Sequence, residues 1–288
     1  MNHIPVLLHE TIEALKLQDG NRIVDATFGG GGHTTAILES ADCFVLGVDR
    51  DPEAQPRAET ISAKYGKRFR FLASKFSEIS NFIDSNEKFD GILFDFGISS
   101  FQVDDPKRGF SFMQDGPLDM RMSKNYGISA YEVVNSFAEQ DLANIIWTYG
   151  DEPKSRRIAA AIVGSRAEAK IDSTSKLREI VTNAVGSRCS KIDPATKAFQ
   201  AIRIYVNDEL TEINTALEQL PKILKDGARI VTISFHSLED RIVKNWARNH
   251  KKSIESLKKN VIKPSREEVL QNPRARSAVL RGFVYVSE

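Results

Sequence analysis

The chain has 288 residues, 41% of them hydrophobic and 27% charged, a composition that supports one large core or two smaller ones and excludes a disordered chain. Its two cysteines, Cys43 and Cys189, have no CxxC or metal-ligand spacing, which excludes a disulfide framework and a zinc site and fits a reducing compartment. The net charge is only +1, but residues 150–203 carry +5 and residues 241–281 carry +9; two basic zones beside an acidic remainder favour a surface that faces a polyanion.

In chain order, Met1–Glu10 lacks a basic leader and an apolar run long enough for a signal or membrane segment. A cytoplasmic protein with no membrane partner is expected. Arg22–Ala26 reads as a strand that runs into Thr27-Phe28-Gly29-Gly30-Gly31-Gly32-His33 and then into a helix-like segment. Glycines at that junction let a ligand approach the main chain, and the helix start offers free N–H groups. The dinucleotide pattern G-x-G-x-x-G fails here, because its third glycine would fall on Thr34 or Thr35. A pyrophosphate needs the full cradle of donors, so the loop leans towards S-adenosylmethionine, which has no phosphate. The next apolar run, Cys43–Asp49, ends in an acid placed to accept ribose hydroxyls, which either cofactor possesses.

Further strand-like runs at Arg68–Leu72 and Gly91–Asp95 alternate with helix-length segments, so a parallel α/β sheet is expected. Gly29–His33, Asp49, Ser74–Ser77 and Asp95–Ser99 would then meet around one crevice beyond the strand ends. The next clear strand, Arg229–Phe235, follows more than 130 residues later, which implies an inserted domain. Ser129–Tyr149, Pro153–Ala169 and Thr174–Val185 carry helical spacing, so the insertion is read as mainly helical, and its Lys154, Arg156, Arg157, Arg166, Lys170 and Lys176 hold the first basic zone. A long helix is expected over Phe199–Leu220, and Gly282–Val286 is expected to finish the sheet.

Blocks along the whole chain resemble a known family. They are His3–Thr11, Asp25–His33, Asp90–Ser100, Arg108–Phe112, Asp115–Met122, Phe199–Arg203, Ile233–Arg241 and Asn272–Arg276. The family is the bacterial cytosine-N4 methyltransferases of 16S ribosomal RNA, RsmH or MraW. The resemblance implies a Rossmann-like S-adenosylmethionine-dependent methyltransferase domain, 1–104 with 208–288, and an inserted helical substrate-recognition domain, 105–207. It implies S-adenosylmethionine as methyl donor without a metal, and as acceptor a cytidine in the decoding (P-site) region of 16S rRNA within the small ribosomal subunit. By position, the family's cofactor contacts fall on Gly31, Gly32, His33, Asp49, Phe76, Asp95 and Gln102. Gly31 and Gly32 would admit the methionine end and Phe76 would cover the adenine, while Gln102 would reach the adenosine from the insertion.

Cytosine N4 is a weak nucleophile, so the site must orient the amine and accept one of its protons. Asp95, or a nearby backbone carbonyl, would do so, and His236 is either a rival acid/base group or a polar packing residue. Neither cysteine sits in a motif suited to attack on the ring, which favours amine over carbon methylation. The basic insertion and tail would grip phosphates flanking an unstacked base. Three other readings stay open on the residues: a nicotinamide-dependent oxidoreductase, a non-catalytic ribosome-assembly factor and a DNA amine methylase.

Overall fold

The structure, a computed structural model, describes residues 5–84, 86–124, 127–186 and 193–287. Its elements run α1 (Leu8–Leu15), β1 (Arg22–Asp25), α2 (Gly32–Ser40), β2 (Phe44–Asp49), α3 (Gln55–Tyr65), β3 (Phe69–Ala73), β4 (Phe89–Asp95), α4 (Ser100–Asp104), α5 (Ala130–Ser136), α6 (Glu139–Gly150), α7 (Ser155–Glu168) and α8 (Thr174–Val185). They continue with α9 (Thr196–Asn207), α10 (Glu209–Ile223), β5 (Leu224–Ser234), α11 (Ser237–Asn249), β6 (Ile254–Ser256), α12 (Arg266–Gln271) and β7 (Val279–Tyr285). The chain forms two compact units, one from the residues up to Gly97 with those from Leu210 onward, the other Ile98–Glu209.

The first unit is a mixed α/β layer structure around a seven-stranded sheet of order β3-β2-β1-β4-β5-β7-β6. β1 to β5 are parallel, and β7 is antiparallel to both β5 and β6. Neighbouring residues on a strand face opposite ways, and the core divides accordingly. Val24, Leu46, Ile92 and Phe94 pack with Leu217 and Leu220 of α10 and with Trp246 of α11. Ile23, Val45, Leu93 and Val231 pack with Leu15 of α1, Ile37 of α2 and Ile61 of α3. Covered on both faces, these strands read as continuous apolar runs rather than as alternation.

The second unit is helical, with Leu142 and Ile146 of α6, Ile158 and Ile162 of α7, Leu177 of α8 and Ile202 of α9 in one core. α5 starts at a reciprocal cap: Ser129 Oγ accepts from the Glu132 N–H, and the Glu132 carboxylate accepts from the Ser129 N–H.

Three expectations need correction. The helix expected over Phe199–Leu220 is two helices, because Asp208 takes φ 51° and its N–H closes back on Ile204 and Tyr205; aspartate is one of the few side chains that tolerates this left-handed conformation. Ser129–Tyr149 likewise divides at Phe137–Ala138, where extended backbone joins α5 to α6. Gly282–Val286 does belong to the last strand, but that strand is Val279–Tyr285, and it lies inside the sheet with β6 at the edge. Cys189, His3 and Ile4 lie outside the described residues.

Candidate active site

β1, β2 and β4 each end in an aspartate, so the parallel arrangement gathers Asp25, Asp49 and Asp95 at one end of the sheet. Asp25 is buried. Its Oδ2 accepts from Thr34 Oγ1 at 2.7 Å and its Oδ1 from the Thr27 N–H at 3.3 Å. Desolvation pushes its pKa up to about 6, the two hydrogen bonds only partly opposing the rise. Thr34, one of the two positions where the dinucleotide pattern fails, therefore has a hydrogen-bonding role of its own.

Asp49 accepts from the Gly29 N–H at 2.7 Å through Oδ2 and from the Asp51 N–H at 2.8 Å through Oδ1, which ties the glycine loop to the end of β2. Desolvation raises it too, to about 6. Arg57 Nε donates to the Gly29 carbonyl at 2.9 Å and so holds the same loop from α3. Ser74 extends the cluster of loops, donating its N–H to the Asp49 carbonyl at 3.0 Å.

Among the described residues no lysine or arginine pairs with Asp95. Its backbone N–H donates to Thr27 Oγ1 at 2.7 Å, and its buried Oδ1 has no hydrogen-bond partner among the described residues. Desolvation, then the charges of Asp25 and Glu239, raise its carboxyl well above the usual range. His33 stands beside it, with Nδ1 3.7 Å from Asp95 Oδ2. His33 Nε2 faces the Val6 carbonyl at 3.2 Å. A carbonyl only accepts, so Nε2 carries a hydrogen, and Nδ1 is the ring atom that faces Asp95.

Gly31 and Gly32 stand at the start of α2. Gly31 has φ 74°, and a Cβ there would lie 2.3 Å from Ile61 Cδ1 and 2.9 Å from the Phe28 ring. A Cβ on Gly32 would lie 2.5 Å from Pro5 Cγ. Both glycines therefore let the chain close over the loop. The covering segment is pinned from the other end of the chain, for Leu7, at φ 52°, donates its N–H to Glu268 Oε1 of α12 at 2.7 Å.

Phe76 follows β3 and sets its ring edge-on to Phe94 at 5.8 Å, leaving the residue half-buried. Gln102 belongs to the second unit, where its side-chain oxygen accepts from the Ser99 N–H at 3.0 Å and caps α4. His236 precedes α11, with Nε2 3.2 Å from Glu239 Oε1. Glu239 is fully buried and accepts from the Phe235 and His236 N–H groups at 2.7 and 3.2 Å. Cys43, buried with its thiol pushed up by desolvation, precedes β2 and so lies at the far end of that strand from Asp49.

Asp25 and Glu239 are site residues that the sequence reading does not single out. Asp25 has a local signal, as an acid that ends the strand before the glycines. Glu239 has none, because its place depends on β5 lying beside β4.

The site thus holds three carboxyls raised by burial, a fourth buried beside them, and an unpartnered oxygen on Asp95. That donor set fits a ligand with positive charge and hydroxyl groups, and it opposes a pyrophosphate, whose negative charges would meet the acids. The sulfonium, ammonium and ribose of S-adenosylmethionine match it, and a dinucleotide does not.

Residues 1–285 match the model of the MraW methylase family. The ribosomal RNA small subunit methyltransferase H of Rickettsia massiliae (strain Mtu5) is 49% identical over 307 aligned residues, covering 100% of this chain and 99% of that protein. The protein of the same name from Wolbachia sp. subsp. Drosophila simulans (strain wRi) is 47% identical, with 100% of both chains covered. A solved rRNA-methylase candidate from Clostridium thermocellum shares the fold at a TM-score of 0.50 and 11% identity, over 99% of this chain and 100% of that one. Matched from end to end by the family model and at this identity to its relatives, the chain belongs to the MraW methylase family.

Proposed function

We propose that this chain methylates the exocyclic N4 of a cytidine in the decoding (P-site) region of 16S rRNA, with S-adenosylmethionine as donor and the small ribosomal subunit as substrate. The family and its full-length relatives support rRNA methylation of the small subunit. The observation that carries the chemistry is the unpartnered Asp95 oxygen at the end of β4, inside a cluster of raised carboxyls. When bound, S-adenosylmethionine supplies a methyl group on a sulfonium, which an amine lone pair can displace with release of a neutral thioether.

Gly31, Gly32 and His33 would hold its amino-acid end, Asp49 its ribose hydroxyls and Phe76 its adenine; Gln102, the further contact that the resemblance implies, belongs to the second unit. Asp95 Oδ1 accepts a hydrogen bond from the target amine and takes its proton as the new N–C bond forms. Burial, with the charges of Asp25 and Glu239, makes that carboxylate a stronger base than an exposed one. His33 Nδ1 stands beside Asp95 Oδ2 at 3.7 Å, and the Val6 carbonyl accepts from its Nε2–H. Most of the acceleration is assigned to holding the amine in line with the methyl group, a positioning effect that needs no covalent enzyme intermediate.

The test is methyl transfer from labelled S-adenosylmethionine to small subunits from a strain lacking the protein, followed by nucleoside mass spectrometry and mapping. N4-methylcytidine in the decoding region is the expected product. Label on another atom or another RNA would overturn the assignment, and cofactor binding with no labelled RNA would point to an assembly factor.

A further inference from the structure

A second concavity, of about 200 Å³, lies between the C-terminal half of α1, β5, β7 and the 256–262 segment that follows β6. Cofactor-sized pockets run to roughly 300–1,000 Å³, so it is too small for another nucleoside cofactor. Its rim carries Lys16, Arg229, Lys258, Lys259 and Arg281 against Glu10 and Glu13. Arg281 is engaged by Asp240 at 2.7 and 3.0 Å. Lys16, Lys258 and Lys259 are exposed and Arg229 is half-buried, and the side chains of these four make no hydrogen bond or ion pair among the described residues.

The lysine pair is held in place. The Leu257 N–H donates to the Gly282 carbonyl at 2.9 Å, and Ile262 exchanges two backbone hydrogen bonds with Leu280 at 2.8 and 3.0 Å. A Cβ on Gly282 would meet Leu257 Cδ1 at 2.7 Å, so the glycine in β7 lets this loop lie flat on the strand. Lys258, Lys259 and Asn260 are thus carried on a loop clamped at both ends. Leu257, Ile262 and Ala14 offer apolar surface for the lysine stems.

The place is separate from the strand ends. Asp95 pairs with Ile233 of β5, whereas Arg229 pairs with Gly91, four residues back along the strand, or about 13 Å at roughly 3.3 Å per residue. Unpartnered cations spread over three elements, with no converging buried donors, suit an extended polyanion rather than one compact anion. The surrounding segment 241–281 carries +9.

We propose that this basic concavity is a docking site for the phosphate backbone of the substrate RNA, remote from the catalytic strand ends. The proposal rests on the reading of the chain as an rRNA methyltransferase. It gives the second basic zone a defined surface, with Lys258, Lys259, Lys16 and Arg229 as phosphate ligands that add affinity without reading bases.

The test compares the full-length protein with a Lys258→Gln/Lys259→Gln/Arg229→Gln variant, with small-subunit binding measured by co-sedimentation at several salt concentrations. The variant is expected to bind subunits at least tenfold more weakly at low salt. Its plot of log affinity against log salt should be shallower by about 0.7 for each single-stranded phosphate that it no longer neutralises. Cofactor affinity and melting temperature should match wild type. A folded variant with unchanged affinity and slope would overturn the proposal. So would a weakening confined to intact subunits and absent with protein-free 16S rRNA, which would assign the surface to a ribosomal protein. Binding is read without methyl transfer, so absence of transfer by the wild-type protein would count against the activity, and a flat salt response against the dock.

Discussion

Asp95 shows how much rests on one side chain whose environment opposes its charge. Its carboxyl is raised by burial and by Asp25 and Glu239, and one of its oxygens has no partner among the described residues. Replacement by asparagine keeps the shape and removes the base. Asp95→Asn is expected to retain cofactor binding within a few-fold and to lose methyl transfer by about 10²-fold or more, as for other general bases; single-turnover assays at saturating cofactor measure this, and a wild-type rate would remove the role. Gly31 makes the opposite point, since nothing polar in its side chain is at stake. Gly31→Ala must hold φ 74° and displace both Ile61 and Phe28, so a destabilisation on the order of 1–3 kcal/mol is expected, read as a shift in the denaturant midpoint. Asp49 and Asp95 are legible in the sequence because each is an acid at the end of an apolar run. Glu239 is not, because only the long-range pairing of β4 with β5 brings that residue to the site.

The β1, β2 and β4 ends act together as one acidic rim, and pH should reveal it. The carboxyls of Asp25 and Asp49 sit at about 6 in the folded protein, above the usual 3.8. The folded state therefore holds their protons more tightly than the unfolded chain does. The stability they contribute is present in full below about pH 4 and is lost as pH rises through 6, at about 1.4 kcal/mol for each tenfold change in proton affinity. Thermal melts of the ligand-free protein should show this decline between pH 4 and 6, and Asp25→Asn should flatten it. A cationic cofactor should respond in the opposite sense and bind more tightly as the rim ionises. At this scale the strands and the parallel sheet are legible in the sequence, since repeated apolar runs separated by helix-length segments leave few alternatives. β6 is not, because three residues are too few to show a period, and the break at Asp208 is hidden because helical spacing continues on both sides of it.

For the molecule as a whole, membership of the family and the mixed α/β class are both readable without coordinates. The family blocks run from one end of the chain to the other, and strands with helices between them prescribe layers. What composition does not prescribe is where the late elements go. β7 is the last strand in chain order and yet lies inside the sheet, and Glu268 of α12 holds Leu7 through its backbone N–H. Translation proceeds at roughly 5–20 residues per second, so a nascent chain that has completed β5 keeps that strand's edge open for several seconds. For the first part of this interval, until Glu268 has been made, the Pro5–Leu7 cover also lacks its anchor. Chains stalled before residue 279 are therefore expected to be cut readily by protease and to bind no S-adenosylmethionine, and release of the stall should restore both properties at once. Cofactor binding is thus expected to be a late event of synthesis, completed only once β7 has filled its place between β5 and β6.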